Sequence, residues 1–113
     1  MINRAAVILR AKGPMIEWIN TTDHDDLPPF SESDVNGDRN VYLIAESAAA
    51  TEVGFREWLE LNYQTLFEAE LTSWITEPRL WPHPRTFALF SRWFDVEWHS
   101  MVFDTTGDDF LEY

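Results

Sequence analysis

The chain has 113 residues, enough for one domain with a hydrophobic core and too few for two. Its formal net charge of −12 argues against direct binding to nucleic acid or to an anionic membrane, since both need a basic surface. It contains no cysteine, which excludes disulfides and thiolate zinc sites, and no apolar run approaches the ~20 residues of a membrane span. We therefore expect a single cytoplasmic domain over residues 1–113.

The first part of the chain predicts a strand, a short helix and a second strand. The continuous apolar run within residues 3–11 is typical of a strand that is covered on both faces. Gly13 and Pro14 interrupt that run and favour a helix that ends near Asn20. Residues 41–46 repeat the continuous apolar pattern, so they are predicted to form a second buried strand.

Between these elements, residues 21–40 form a long polar connection. Ser31 and Asp34 have the spacing of a capping box, and Gly37 is suited to a left-handed helix stop. This pattern predicts a single helical turn at about Glu32–Asn36.

The acids of this connection raise the question of a metal site. Asp34–Asp38 resembles part of a calcium loop, but its glycine is at the fourth position and no glutamate follows at the twelfth. Adjacent residues in a loop rarely hold one ion together, so Asp23–Asp26 is interpreted as a solvated acidic loop. The sequence therefore predicts no metal and no cofactor.

The longest periodic segment is Thr51–Ile75, whose apolar residues recur on one broad helical face. Thr51 is a suitable N-cap, and Pro78 prevents the helix from continuing. Asn62 and Glu70 lie on or beside the apolar face. Either both residues sit at its edge and reach solvent, or Glu70 is a functional carboxylate held in a groove.

Three further segments follow. Residues 77–86 contain three prolines and predict a rigid, extended connector, and residues 85–94 predict a short helix rich in aromatic side chains. That helix is either largely buried or presents an aromatic surface to a partner. Residues 95–104 alternate as a strand, and residues 105–113 form an acidic tail.

The resulting element order is β-α-β-α-α-β, which places the chain in the α+β class. We expect a small three-stranded mixed sheet with helices packed on it. The first two strands are expected to be parallel, joined by a right-handed crossover, and the third is expected to be antiparallel.

Six residues are candidates for a binding site. Glu97 and His99 share one side of the last predicted strand, where a carboxylate beside an imidazole could act as a general base or simply be a surface pair. Arg79 and Arg85, with Trp81 between them, either pair with the protein's own carboxylates or hold an anionic ligand. Trp93 belongs to the aromatic helix. No motif for nucleophilic, phosphate-binding or zinc-dependent catalysis is present.

Two blocks of the sequence resemble a family of small acidic bacterial proteins that is uncharacterised. The motifs that carry the resemblance are Val41–Ile44, Leu80–Pro82, Arg85–Phe87, Trp93–Phe94, Val96–Glu97 and His99–Val102. Together with the segments between them, they cover about half the chain. The resemblance implies no particular activity.

The sequence leaves four functional hypotheses open. The missing catalytic set and the many aromatic residues favour a non-catalytic protein-interaction domain. The acidic charge permits a nucleic-acid mimic that inhibits a basic protein. A small enzyme or ligand binder would use Glu97 and His99, and a homodimer would be built on the aromatic helix at 85–94.

Overall fold

The computed structural model describes residues 1–22 and 28–107. Within these ranges, strands and helices form an α+β arrangement, which confirms the predicted class. The elements, in chain order, are β1 Arg4–Ala11, α1 Gly13–Thr22, α2 Glu32–Asn36, β2 Val41–Ala45, α3 Glu52–Trp74, α4 Phe87–Trp93 and β3 Phe94–His99. The predicted order β-α-β-α-α-β is wrong in one element, because α2 adds a second helix between the first two strands and makes the order β-α-α-β-α-α-β. Two 3₁₀ turns, Glu46–Ala49 and Pro78–Leu80, flank α3.

The three strands form an antiparallel sheet in the order β2-β1-β3. Ile8 of β1 pairs with Val41 on one side and with Glu97 on the other, and both neighbours run opposite to β1. The predicted antiparallel β3 is therefore confirmed. The predicted parallel pairing of the first two strands is wrong, and the sheet is not mixed.

The reason for the antiparallel pairing lies in the connection between β1 and β2, which returns to the end of β1 that it left. The amide of Asn20 on α1 exchanges two hydrogen bonds with the backbone of Phe30, at 2.8 and 3.0 Å. The amide of Asn36 on α2 does the same with the backbone of Ala11, at 2.8 and 3.0 Å. Because the chain re-enters beside Ala11, β2 must run back along β1.

Helix α2 forms where its capping box predicts it. The Ser31 hydroxyl accepts a hydrogen bond from the Asp34 backbone, and the Asp34 carboxylate accepts one from the Ser31 backbone. The expected left-handed stop at Gly37 is wrong, since this residue keeps a right-handed φ of −66°. A Cβ there would lie 3.0 Å from the Ser33 carbonyl, so a larger residue would crowd the last turn of α2.

Helix α3 is the longest of the described helices and buries five apolar side chains in the core. The Thr51 hydroxyl accepts a hydrogen bond from the Gly54 N–H at 3.0 Å, as predicted for its N-cap. Phe67 and Leu71 are fully buried against the sheet and α4. None of the helices in residues 1–22 and 28–107 is long and apolar enough to cross a membrane.

The aromatic helix α4 is a core element. The ring of Phe90 lies 5.6 Å from that of Phe67 and 5.4 Å from that of Phe94, within the range of favourable aromatic pairs. Trp93 is 8% exposed, and its ring lies 6.0 Å from that of Trp18 on α1. Of the two alternatives that the sequence leaves for this helix, the structure has the buried one.

Helices cover only one face of the sheet. The side chains on the covered face are buried or half-buried, and include Val7, Leu9, Ile44 and Phe94. The opposite face of edge strand β2 is exposed, so the expectation of a second strand buried on both faces is wrong. The described helices form a single layer, and no described segment packs over the other side of β2.

Candidate interaction surface

The uncovered side of the sheet is the most distinctive surface of the molecule, and we call it the open face. Alternate residues of each strand point to it, as the period of two requires. The strand residues on the open face are Arg4, Ala6, Ile8, Arg10, Val41, Leu43, Ala45, Asp95, Glu97 and His99.

The centre of the open face is apolar. Leu43 pairs with Ala6, and Val41 pairs with Ile8, so these four side chains occupy two adjacent rows of the sheet. Val41 is 57% exposed and Leu43 is 50% exposed. These two side chains are well placed for burial against a partner.

Charged side chains flank this centre on the β3 side. The guanidinium of Arg39, just before β2, lies 3.3 Å from the carboxylate of Glu97 on β3. Since β1 separates these strands, the ion pair bridges from one edge of the sheet to the other. His99 adds its ring, with Nε2 at 3.8 Å from the other oxygen of Glu97. The prediction that Glu97 and His99 share one side of the strand is confirmed.

Two more ion pairs lie at the end of the open face where β1 finishes. Arg10 bonds to Glu32 at 2.6 Å, and Lys12 lies 3.6 Å from Asp95. Together with Arg4, the three ion pairs at the open face contain four of the eight bases of the chain and three of its twenty acids. The surface is close to neutral on a molecule whose net charge is −12.

Exposed apolar residues continue beyond the other end of the sheet. The Ile2 N–H donates to the Val102 carbonyl at 2.8 Å, which joins the start of the chain to the segment after β3. Five of the eight large apolar side chains that are exposed in residues 1–22 and 28–107 lie on the sheet or on this continuation. They are Met1, Val41, Leu43, Met101 and Phe103. Most of the large apolar side chains that are exposed in the described residues therefore lie on the sheet or directly beyond its strands.

The other residues that the sequence singles out lie away from the open face. Arg85 is occupied by the protein itself, since its guanidinium reaches the Pro82 carbonyl at 3.2 Å, approaches Glu68 at 3.5 Å and lies 5.6 Å from the ring centroid of Trp81. Trp81 donates from its indole nitrogen to the Ile75 carbonyl at 2.8 Å. This arrangement corresponds to the self-pairing alternative for Arg85.

Arg79 and Trp93 do not join the others either. Arg79 is exposed and lies 3.6 Å from Glu77 in the connector. Trp93 packs in the aromatic core against Trp18. The structure thus brings together Glu97 and His99, and separately Trp81 and Arg85, but it does not assemble all six candidates into one site.

A separate cleft of about 210 Å³ lies between the loop before β2 and the end of α3. Glu70 lines it and accepts hydrogen bonds from the Tyr42 hydroxyl at 2.5 Å and from the Asn40 amide at 2.8 Å. Burial, and after it the contact with Glu70, raises the pKa of Tyr42 above its usual 10.0. The Glu70 carboxylate thus lies in a groove, where it accepts hydrogen bonds from Tyr42 and Asn40 of the same chain.

The described residues contain no group of three potential metal ligands. The acidic run Asp23–Asp26 lies outside the described residues. The Asp34 carboxylate is used by the capping box, and its pKa is lowered first by the hydrogen bond from the Ser31 backbone and then by that from the Ser31 hydroxyl.

Sequence reasoning missed Arg39, Val41 and Leu43 as surface residues. A continuous apolar run is expected both for a strand covered on two faces and for an edge strand that exposes apolar side chains. The available signal was the size of the chain, because so few helices of seven or more residues can cover only one face of the sheet.

Comparison of the chain with protein-family models, curated proteins and solved structures finds no match.

Proposed function

We propose that this protein is a non-catalytic protein-interaction domain and that the open face is its binding surface. The observation that carries the proposal is the uncovered side of the sheet, where Val41 and Leu43 are exposed side by side on an edge strand. Exposed apolar patches of this kind, rimmed by polar residues, mark interaction sites in soluble proteins.

Burial of the apolar side chains on the open face would stabilise a complex with a partner. Fully burying a valine or leucine side chain stabilises a complex by about 1.5–3 kcal/mol, and half-exposed side chains recover about half of that. An apolar edge strand left uncovered also invites unwanted pairing with other chains. Strand β2 carries no lysine or proline to prevent such pairing.

The polar rim supports recognition of a protein more than catalysis. Glu97 and His99 have side chains that are 47% and 60% exposed, and the Glu97 carboxylate is shared with Arg39. Exposed ion pairs of this type contribute about 0–1 kcal/mol to stability, but at an interface they fix the orientation of the partner.

A matched pair of substitutions tests the proposal. Leu43→Arg places a charge at the centre of the open face, and Leu61→Arg makes the same change on α3, where Leu61 is 84% exposed and away from the sheet. Tagged wild-type protein and both variants would be used to capture partners from a lysate of the source cells. Circular dichroism would verify that each variant is folded.

We expect the Leu61→Arg variant to capture the same partners as wild type and the Leu43→Arg variant to lose them. A second copy of this chain counts as such a partner. Equal capture by both variants would contradict the open face as the binding surface. Loss with Leu61→Arg alone would place the binding surface on α3 instead.

A further inference from the structure

We infer that the occupant of the open face is the same face of a second copy of this chain, which gives a weak two-fold dimer. This inference rests on the proposed function, because it names the partner of the open face. It differs from a homodimer built on the aromatic helix, since Phe90 and Trp93 of α4 are buried inside one molecule.

The distribution of charge is the first argument. Two molecules with a net charge of −12 each repel one another over most of their surfaces. The open face, with four bases against three acids, presents no excess of negative charge to a second copy. A basic partner would instead be attracted to the acidic remainder of the molecule, because a neutral face offers it no electrostatic gain.

The pattern of side chains is the second argument, because it is complementary to itself. A two-fold axis that crosses the strands between the rows of Ala6 and Ile8 places Val41 opposite Leu43 of the other copy. The same axis places the small Ala6 opposite the larger Ile8. A two-fold interface requires self-complementarity of this kind.

The charged flank obeys the same symmetry. This axis brings Glu97 of one copy opposite His99 of the other, so each ring gains a carboxylate across the interface. Arg4 and Arg10 would face each other, but the charge of Arg10 is already balanced by Glu32 at 2.6 Å. Sheets that pack face to face keep their strands aligned to within about 30°, which this arrangement allows.

The size of the surface predicts a reversible association. Three strands about 4.8 Å apart, with about five residues each, form a face on the order of 15 Å by 20 Å. This is smaller than the roughly 800 Å² per partner of a standard interface, even with the apolar continuation at Met101 and Phe103. We therefore expect monomer and dimer to be in equilibrium rather than a permanent dimer.

Sedimentation equilibrium of purified wild type, Leu43→Arg and Leu61→Arg over a wide range of protein concentration tests this inference. We expect concentration-dependent dimerisation of wild type, unchanged in the Leu61→Arg variant and weakened about tenfold or more in the Leu43→Arg variant. The two variants carry the same change in net charge, so a difference between them reports the position of the substitution.

A dimer that survives Leu43→Arg would overturn the inference, because it would use another surface. A wild-type protein that stays monomeric at every concentration would overturn it as well. The proposed function is judged separately, by the lysate capture. A different protein held by wild type and Leu61→Arg but not by Leu43→Arg would leave the open face as a binding surface for that protein.

Discussion

Tyr42 and Leu43 are neighbours in sequence that serve opposite sides of the sheet. The hydroxyl of Tyr42 points to the helix layer and donates to Glu70, which fastens edge strand β2 to α3. Leu43 points to the open face. The alternation of side chains along one short strand therefore separates a structural contact from the surface that we propose binds a partner.

The contact of Tyr42 with Glu70 predicts a loss of stability in alkali. The raised pKa of Tyr42 means that, above about pH 10, the unfolded chain releases this proton while the folded protein keeps it. The free energy of unfolding therefore falls as the pH rises in that range, and the contribution of this proton is fully present below it.

The substitution Tyr42→Phe should remove that contribution. At neutral pH we expect it to cost about 1–2 kcal/mol, because a hydrogen bond to a carboxylate is lost. Above about pH 10 the difference in the free energy of unfolding between wild type and Tyr42→Phe should shrink. The slope of this difference against pH corresponds to at most one proton. Urea denaturation at a series of pH values measures both effects. A constant difference across all pH values would contradict the assigned contact.

Period-two alternation was sufficient to predict at this scale that Glu97 and His99 share one side of β3. It could not predict that Arg39 bridges to Glu97, because the two residues are 58 positions apart and meet only when β2 and β3 flank β1. It could not predict the bond from Tyr42 to Glu70 either, for the same reason of distance along the chain.

At the scale of elements, α4 joins the helix layer to the sheet. It runs directly into β3, and Phe90 lies in an aromatic cluster with Phe67, Trp93 and Phe94. A helix with aromatic side chains on most of its circumference would be an interface if it were exposed. Here those side chains fill the space between α3 and the sheet.

This placement predicts a large effect of Phe90→Ala. Removing a fully buried phenylalanine leaves a cavity, and we expect the free energy of unfolding to fall by about 3–5 kcal/mol. Phe87→Ala, at a half-buried position on the same helix, is the matched control and should cost clearly less. Thermal or urea denaturation of both variants gives the comparison. Equal costs would contradict the assignment of α4 to the core.

The helices were predictable from sequence because each has a cap or a period that depends on nearby residues, such as Thr51 for α3 and the Ser31–Asp34 pair for α2. The direction of β2 was not, because it depends on the bonds between Asn36 and the backbone of Ala11. Those bonds join residues 25 positions apart, and no local pattern encodes them.

At the scale of the whole molecule, charge is distributed unevenly. The sequence establishes a net charge of −12, which suggests an acidic protein that attracts basic partners. The fold gathers Arg4, Arg10, Lys12 and Arg39 on or beside one face of the sheet and leaves most of the acids elsewhere. The composition alone cannot reveal this near-neutral face, because the residues that form it come from separate segments of the chain.

If two open faces pair, association should depend on salt in a definite direction. The dimerisation constant of wild-type protein would be measured by sedimentation equilibrium in about 0.1 M and about 0.5 M sodium chloride, where the Debye length falls from about 10 Å to roughly half that. Since salt screens the repulsion between two acidic molecules, we predict that dimerisation strengthens several-fold at the higher concentration. Dimerisation that weakens with salt, or is absent at both concentrations, would contradict the pairing of two open faces.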